Sequence, residues 1–206
     1  LPTIGGEGRH YNDQGFIEEL RARGTGHDII ALDVAPDLYL GKRIVEILKT
    51  EVITPAQHKG YEAIYLVGSS LGGHGVLLYL TEYPKDISAV VLFAPFVTGY
   101  PPTDLVEEPG GLEQWDEDCP FTEWKYACNL WRAIKKYGSD PYQLRNIYLA
   151  YGTEDGFAEE CDILAEFLPP RNVFTAPGGH DWVTWRKLWI EMFDELKTRR
   201  GEMRKY

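Results

Sequence analysis

At 206 residues, 44% hydrophobic and 26% charged, the chain has the length and composition of one ordinary globular domain able to bury a substantial core. A formal net charge of −11 speaks against nucleic acid as a partner, because phosphate binding requires a basic surface. No apolar run approaches the roughly 18 residues that a membrane span needs, and the start is not signal-like.

Three cysteines, Cys119, Cys128 and Cys161, lack C-x-x-C spacing. An odd number so placed is expected to be reduced thiols in a cytoplasmic setting, rather than a disulfide framework or a zinc site. A chain opening on Leu1-Pro2, without an initiator methionine, is expected to have residues upstream. Leu1 to Arg9 then reads as a glycine-rich loop leaving a strand that precedes it.

Asn12 is expected to cap a helix running to about Arg23, with Phe16, Ile17 and Leu20 on its inner face and Gly24 as its stop. His27 to Val34, HDIIALDV, reads as a short apolar strand, and Gly41 to Glu51 as a helix with Ile44, Val45, Ile47 and Leu48 inward. A strand over 61–67, a glycine-rich corner and a helix over 71–83 follow, with Pro84 ending the helix. Further strands are predicted at 87–93, 146–151 and 172–176, with a helix at about 158–167. In the final helix Trp182, Trp185, Trp189, Met192 and Leu196 recur three and four apart, as one apolar stripe. Strands apolar on both faces, alternating with helices, predict a mostly parallel sheet with helices on both faces.

Between Phe96 and Gln143 the alternation stops. Val97 to Trp124 holds eight carboxylates and no Lys or Arg, and a helix carrying Trp124, Cys128, Trp131 and Ile134 on one face runs to Gly138. An insertion here stands above the carboxyl ends of the strands, where ligands bind, so 97–143 reads as a cap inserted in a single domain spanning 1–206. Trp124, Trp131 and Trp182 are candidates to line a substrate pocket, although an aromatic stripe at helical spacing serves equally as a packing face. The acidic run from Asp104 to Asp118 reads as a solvated loop.

The corner Gly68-Ser69-Ser70-Leu71-Gly72 matches G-x-S-x-G between a predicted strand and a predicted helix. Such a turn forces the central serine into a strained backbone and holds its hydroxyl out of the fold. A serine nucleophile needs an adjacent base, and the base an orienting carboxylate. Asp155, in Gly152-Thr153-Glu154-Asp155-Gly156, and His180, in Pro177-Gly178-Gly179-His180, each follow a later strand. Competing assignments are Ser69 for the nucleophile, Glu154 for the carboxylate and His74 for the base. His74 shares a helix face with position 70 and is expected to pack against the sheet. Asp181 reads as the N-cap of the last helix.

The segments GSSLGG, YGTEDG and PGGHDW together resemble an α/β-hydrolase of the esterase type. The Gly-Gly-His-Asp-Trp ending is similar to that of enterochelin-esterase-like and esterase D-like carboxylic ester hydrolases. The resemblance covers essentially the whole chain apart from the first strands and the cap. It implies an α/β-hydrolase fold with Ser70 as nucleophile, His180 as general base and then acid, and Asp155 as its orienting partner. It also implies an oxyanion hole from the backbone N–H of Leu71 and of a residue after an early strand. Pro2-Thr3-Ile4-Gly5-Gly6 stands at that early strand without the family's frequent histidine, which leaves Ile4 or Thr3 as the second donor. The expected partner is a small-molecule carboxylic ester or thioester, with no cofactor and no metal. A hydrolase-fold protein that binds without turnover, an acyltransferase and a peptidase are the alternatives.

Overall fold

The computed structural model describes residues 1–39, 43–97, 114–115, 125–138 and 146–203. Four strands, β1 (Tyr65–Ser69), β2 (Ala89–Phe93), β3 (Ile147–Gly152) and β4 (Val173–Ala176), pair in sequence order, every pair parallel. The register sets Ser69 opposite Phe93, Phe93 opposite Ala150 and Gly152 opposite Ala176, so all four strands end along one edge. β3 lies inside the sheet and is buried at nearly every residue, as a parallel strand covered on both faces must be. The four predicted strands from 61 onward are therefore present, with β1 shifted to run through Gly68 and Ser69 up to the corner.

The helices, numbered along the chain, are α1 (His10–Asp13), α2 (Phe16–Ala22), α3 (Arg43–Ile47), α4 (Thr54–His58), α5 (Leu71–Glu82), α6 (Lys125–Gly138), α7 (Ala158–Glu166) and α8 (Trp182–Met203). α5 packs on β1 and β2, while α8 packs on β3 and β4. The inner stripe of α8 is Trp185, Leu188, Trp189 and Met192, all buried. Burying each such side chain stabilises the fold by about 1.5–3 kcal/mol. The rings of Phe16, Phe93 and Trp189 meet at 5.4 to 5.7 Å, which joins α2, β2 and α8 in one core. The Trp189 indole N–H donates to the Phe16 carbonyl at 3.1 Å.

Four expectations need correction. The helix predicted from Asn12 to Arg23 is two pieces, because Gly15 takes φ +80° and breaks the ladder between them. The stretch 27–34 is not a strand: among the described residues it pairs with none, and Ile30 stands 66% exposed. Apolar residues make a strand only where a ladder partner satisfies the backbone. Here side chains hold the segment instead. The Asp33 carboxylate accepts from the Gly8 N–H at 2.7 Å, the Tyr61 hydroxyl donates to Asp28, and the His27 ring stands edge-on to Tyr65. The helix predicted to end at Glu51 instead continues from α3 through a π-helical stretch, Leu48–Ile53, into α4 and ends at His58. The widened turn falls immediately before Pro55, which has no N–H to give.

The fourth correction concerns the cysteines. Cys128, on α6, is disulfide-bonded, with its partner outside the described residues, while Cys161 is a buried free thiol. A disulfide is set by spatial proximity, which spacing in the sequence does not report, so the expectation of reduced thiols fails at Cys128. Much of the predicted cap, 98–113, 116–124 and 139–143, lies outside the described residues, the acidic run included except for Gln114 and Trp115. Within the remainder, Cys128, Leu130, Trp131 and Ile134 of α6 are buried and Trp115 lies beneath the Arg132 guanidinium.

Two measurements check this description. Burial holds the Cys161 thiol well above its ordinary value, so iodoacetamide with peptide mapping should modify it only on unfolding, and Cys128 only after reduction. Asp181 caps α8, its Oδ1 accepting the Thr184 N–H at 2.8 Å, and that bond lowers its carboxyl pKa from 3.8. Asp181→Ala should cost about 0.5–2 kcal/mol in denaturant melts at neutral pH. A lowered folded pKa stabilises only the ionised form, so the difference should fade as pH falls through that lowered value.

Candidate active site

Each strand end delivers one part of the site. Beyond β1, Ser70 takes φ 54°, ψ −120°, a conformation that costs of order 1–3 kcal/mol and persists only where the surroundings dictate it. Both of its backbone groups are held: its N–H donates to the Phe93 carbonyl at 2.9 Å, and its carbonyl accepts from the Phe96 N–H at 3.0 Å. The flanking glycines are steric requirements. A Cβ on Gly68 would lie 2.5 Å from the Gly72 carbonyl oxygen, and one on Gly72 would lie 2.2 Å from that of Leu1.

Ser69, the competing serine, is fully buried, and its hydroxyl is tied to the Tyr11 hydroxyl at 2.7 Å. Tyr11 donates its own hydrogen to the Leu1 carbonyl at 2.8 Å and so accepts from Ser69. Burial raises the Tyr11 pKa well above 10.0, so it remains a neutral hydroxyl.

Beyond β3 and β4 stand Asp155 and His180. The His180 Nδ1–H donates to both Asp155 oxygens, at 2.8 and 2.9 Å, and Oδ1 also accepts the Phe157 N–H at 2.9 Å. The Asp155 side chain has no solvent exposure and that of His180 has 31%, so the carboxylate is enclosed while the imidazole reaches the surface. Glu154, the alternative carboxylate, is exposed. The two loops meet closely because both are glycine there: a Cβ on Gly152 would lie 2.1 Å from the Gly178 carbonyl oxygen. The His180 ring stands edge-on between those of Phe157 and Trp185, 4.9 Å from each.

The serine and the His–Asp pair share this rim through aromatic contacts. Phe96, whose N–H binds the Ser70 carbonyl, has its ring 5.6 Å from Phe157, which in turn abuts His180. Among the described residues the Ser70 hydroxyl makes no hydrogen bond with His180.

The other predicted residues fall as follows. Leu71 opens α5, where backbone N–H groups lack helical acceptors. Leu1 and Pro2 run against Gly72, the Leu1 carbonyl accepting the Ser69 N–H at 3.2 Å, and Ile4 is 69% exposed in the loop that follows. Trp131 is fully buried in α6, and Trp182 packs among the rings of His10, Tyr11, Phe16 and Trp185. Trp124 lies outside the described residues. His74 is buried but binds the loop after β2, its Nδ1 lying 3.2 and 3.0 Å from the carbonyls of Phe96 and Val97. Sequence reading did not single out Phe96 and Phe157. Phe96 lies three residues past the strand end Phe93 and Phe157 two past Asp155, and that closeness was the available signal.

A parallel sheet with a strained serine between strand and helix, and a His–Asp pair beyond later strands, defines an α/β-hydrolase. The family model described as "Putative esterase" matches residues 35–196, and the chain belongs to this family of ester-hydrolysing enzymes. Solved structures agree on the fold. The chain is similar to FphF, a fluorophosphonate-binding serine hydrolase of Staphylococcus aureus, at 13% identity and a TM-score of 0.60, with 95% of this chain and 81% of that one covered. It is also similar to a CIB-like hydrolase from Thermoplasma acidophilum (13% identity, TM-score 0.57, coverage 96% and 84%). A ferulic acid esterase aligns at 17% identity with a TM-score of 0.54, covering 91% and 78%. A search of curated proteins gives no match.

His74 adds a pH dependence to stability. Burial lowers its pKa from 6.5, so on acidification below 6.5 the unfolded chain takes a proton that the fold resists, and stability falls with pH. Chemical melts should show that loss, and His74→Asn, which does not titrate, should remove His74's share of it.

Proposed function

We propose that the chain hydrolyses a carboxylic ester or thioester of a small to medium acyl substrate, with Ser70 as nucleophile, His180 as base and Asp155 as its orienting partner. The observation that carries this reading is the doubly bonded His180–Asp155 contact, at 2.8 and 2.9 Å, on the same sheet edge as the strained Ser70. A buried carboxylate accepting from Nδ1–H fixes the tautomer that leaves Nε2 free to take the serine proton, and it stabilises the imidazolium then formed. Ser70 Oγ attacks the carbonyl carbon, and the N–H of Leu71 holds the developing oxyanion together with one from Thr3 or Ile4. His180 passes the proton to the leaving alcohol or thiol, and water then cleaves the acyl-enzyme by the same steps.

The test is a fluorophosphonate probe with p-nitrophenyl acetate turnover. Wild type should be labelled and active, and Ser70→Ala should abolish both. Asp155→Asn should lower kcat by roughly three to four orders of magnitude, as tautomer control is lost. A wild type that is neither labelled nor active would leave a hydrolase-fold binding protein. Labelling with transfer to amines or alcohols, or with peptide cleavage, in place of hydrolysis would reassign the acceptor or substrate.

A further inference from the structure

We infer that His74 is a positioning residue for Ser70: its imidazole clamps the strap 94–97, and the strap fixes the strained backbone of the serine. The inference rests on Ser70 being the nucleophile. The contacts form a closed circuit. The Ser70 carbonyl accepts from the Phe96 N–H at 3.0 Å and from the His74 N–H at 3.2 Å. The His74 ring reaches back to the strap, its Nδ1 lying 3.2 Å from the Phe96 carbonyl and 3.0 Å from that of Val97. Both are carbonyl acceptors, so Nδ1 carries the hydrogen.

The strap is held at its far end by Glu160 on α7, whose buried carboxylate accepts the Val97 N–H at 2.8 Å. It is itself strained, with Ala94 at φ 37°, and is packed so tightly on α5 that a Cβ on Gly73 would lie 2.7 Å from that of Pro95. Two non-glycine residues at positive φ, Ser70 at 54° and Ala94 at 37°, therefore directly follow the paired strand ends Ser69 and Phe93. Such strain relaxes unless cross-bracing opposes it. The imidazole of His74 supplies that bracing. It lies in the first turn of α5, four residues past Ser70, with its Nδ1 engaged by the strap.

His74→Leu removes the donor and leaves both carbonyls without it. Because a misplacement of about 1 Å at a reacting group costs on the order of a hundredfold in rate, kcat and the rate of fluorophosphonate labelling should each fall about tenfold to a hundredfold, with KM little changed. His74→Asn keeps an N–H donor close to the position of Nδ1 and should restore most of both rates. Thermal melts establish that each variant is folded. A folded His74→Leu with wild-type kcat overturns the inference, and so does a His74→Asn as slow as the leucine variant. Nitrogen-15 NMR of the wild type gives a reading that needs no variant to fold: the Nδ1–H tautomer of His74 is expected, and the Nε2–H tautomer overturns the clamp. Failure of the functional reading is seen separately, as a wild type that is neither labelled nor active.

Discussion

A serine backbone bent to φ 54°, ψ −120° is the point about which this sheet edge is arranged. The conformation is unfavourable by itself, at about 1–3 kcal/mol, and nothing in the serine side chain offsets it. What holds it is the end of β2. Phe93 and Phe96 engage the N–H and carbonyl of Ser70 on its two sides, so the turn cannot relax without breaking both bonds. Glycine at 68 and 72 follows from the same closeness, since each Cβ would meet a backbone carbonyl within 2.5 Å.

Parallel pairing then determines what meets the serine. With Ser69, Phe93, Ala150 and Phe174 locked in one register, the loops after β1, β2, β3 and β4 emerge side by side. An acid from one loop and a histidine from the next meet without either strand bending. Enclosure of Asp155 makes its hydrogen bonds to His180 and to the Phe157 N–H strong, because no water competes for its oxygens. The imidazole itself is partly exposed. Phe96, which binds the Ser70 carbonyl, and Phe157, which abuts His180, stand 5.6 Å apart and link the two sides with apolar surface.

At the first turn of α5 the backbone N–H groups lack helical acceptors. The His74 ring faces into the strap, as a neutral donor kept uncharged by burial. The neighbouring Ser69 is withdrawn from chemistry by Tyr11, a contact between residues far apart in the chain.

The amino-acid sequence alone specified the corner at Ser70, the glycine-flanked loops bearing Asp155 and His180, four apolar strands and the helices that follow them. These features are local: a tight turn demands particular residues at fixed offsets, and a buried parallel strand demands an unbroken apolar run. Tertiary structure decided the rest. The apolar run at 27–34 stays out of the ladder, because forming a strand depends on a partner as well as on the run itself. Gly15 breaks a helix that periodicity alone would continue, and Cys128 forms a disulfide that spacing did not announce. That His180 meets the Asp155 carboxylate while Glu154 stands exposed, and that His74 turns toward the strap, also came from the fold. Adjacent carboxylates and same-face histidines are indistinguishable in sequence, and only the path of a loop in space gives each a different neighbour.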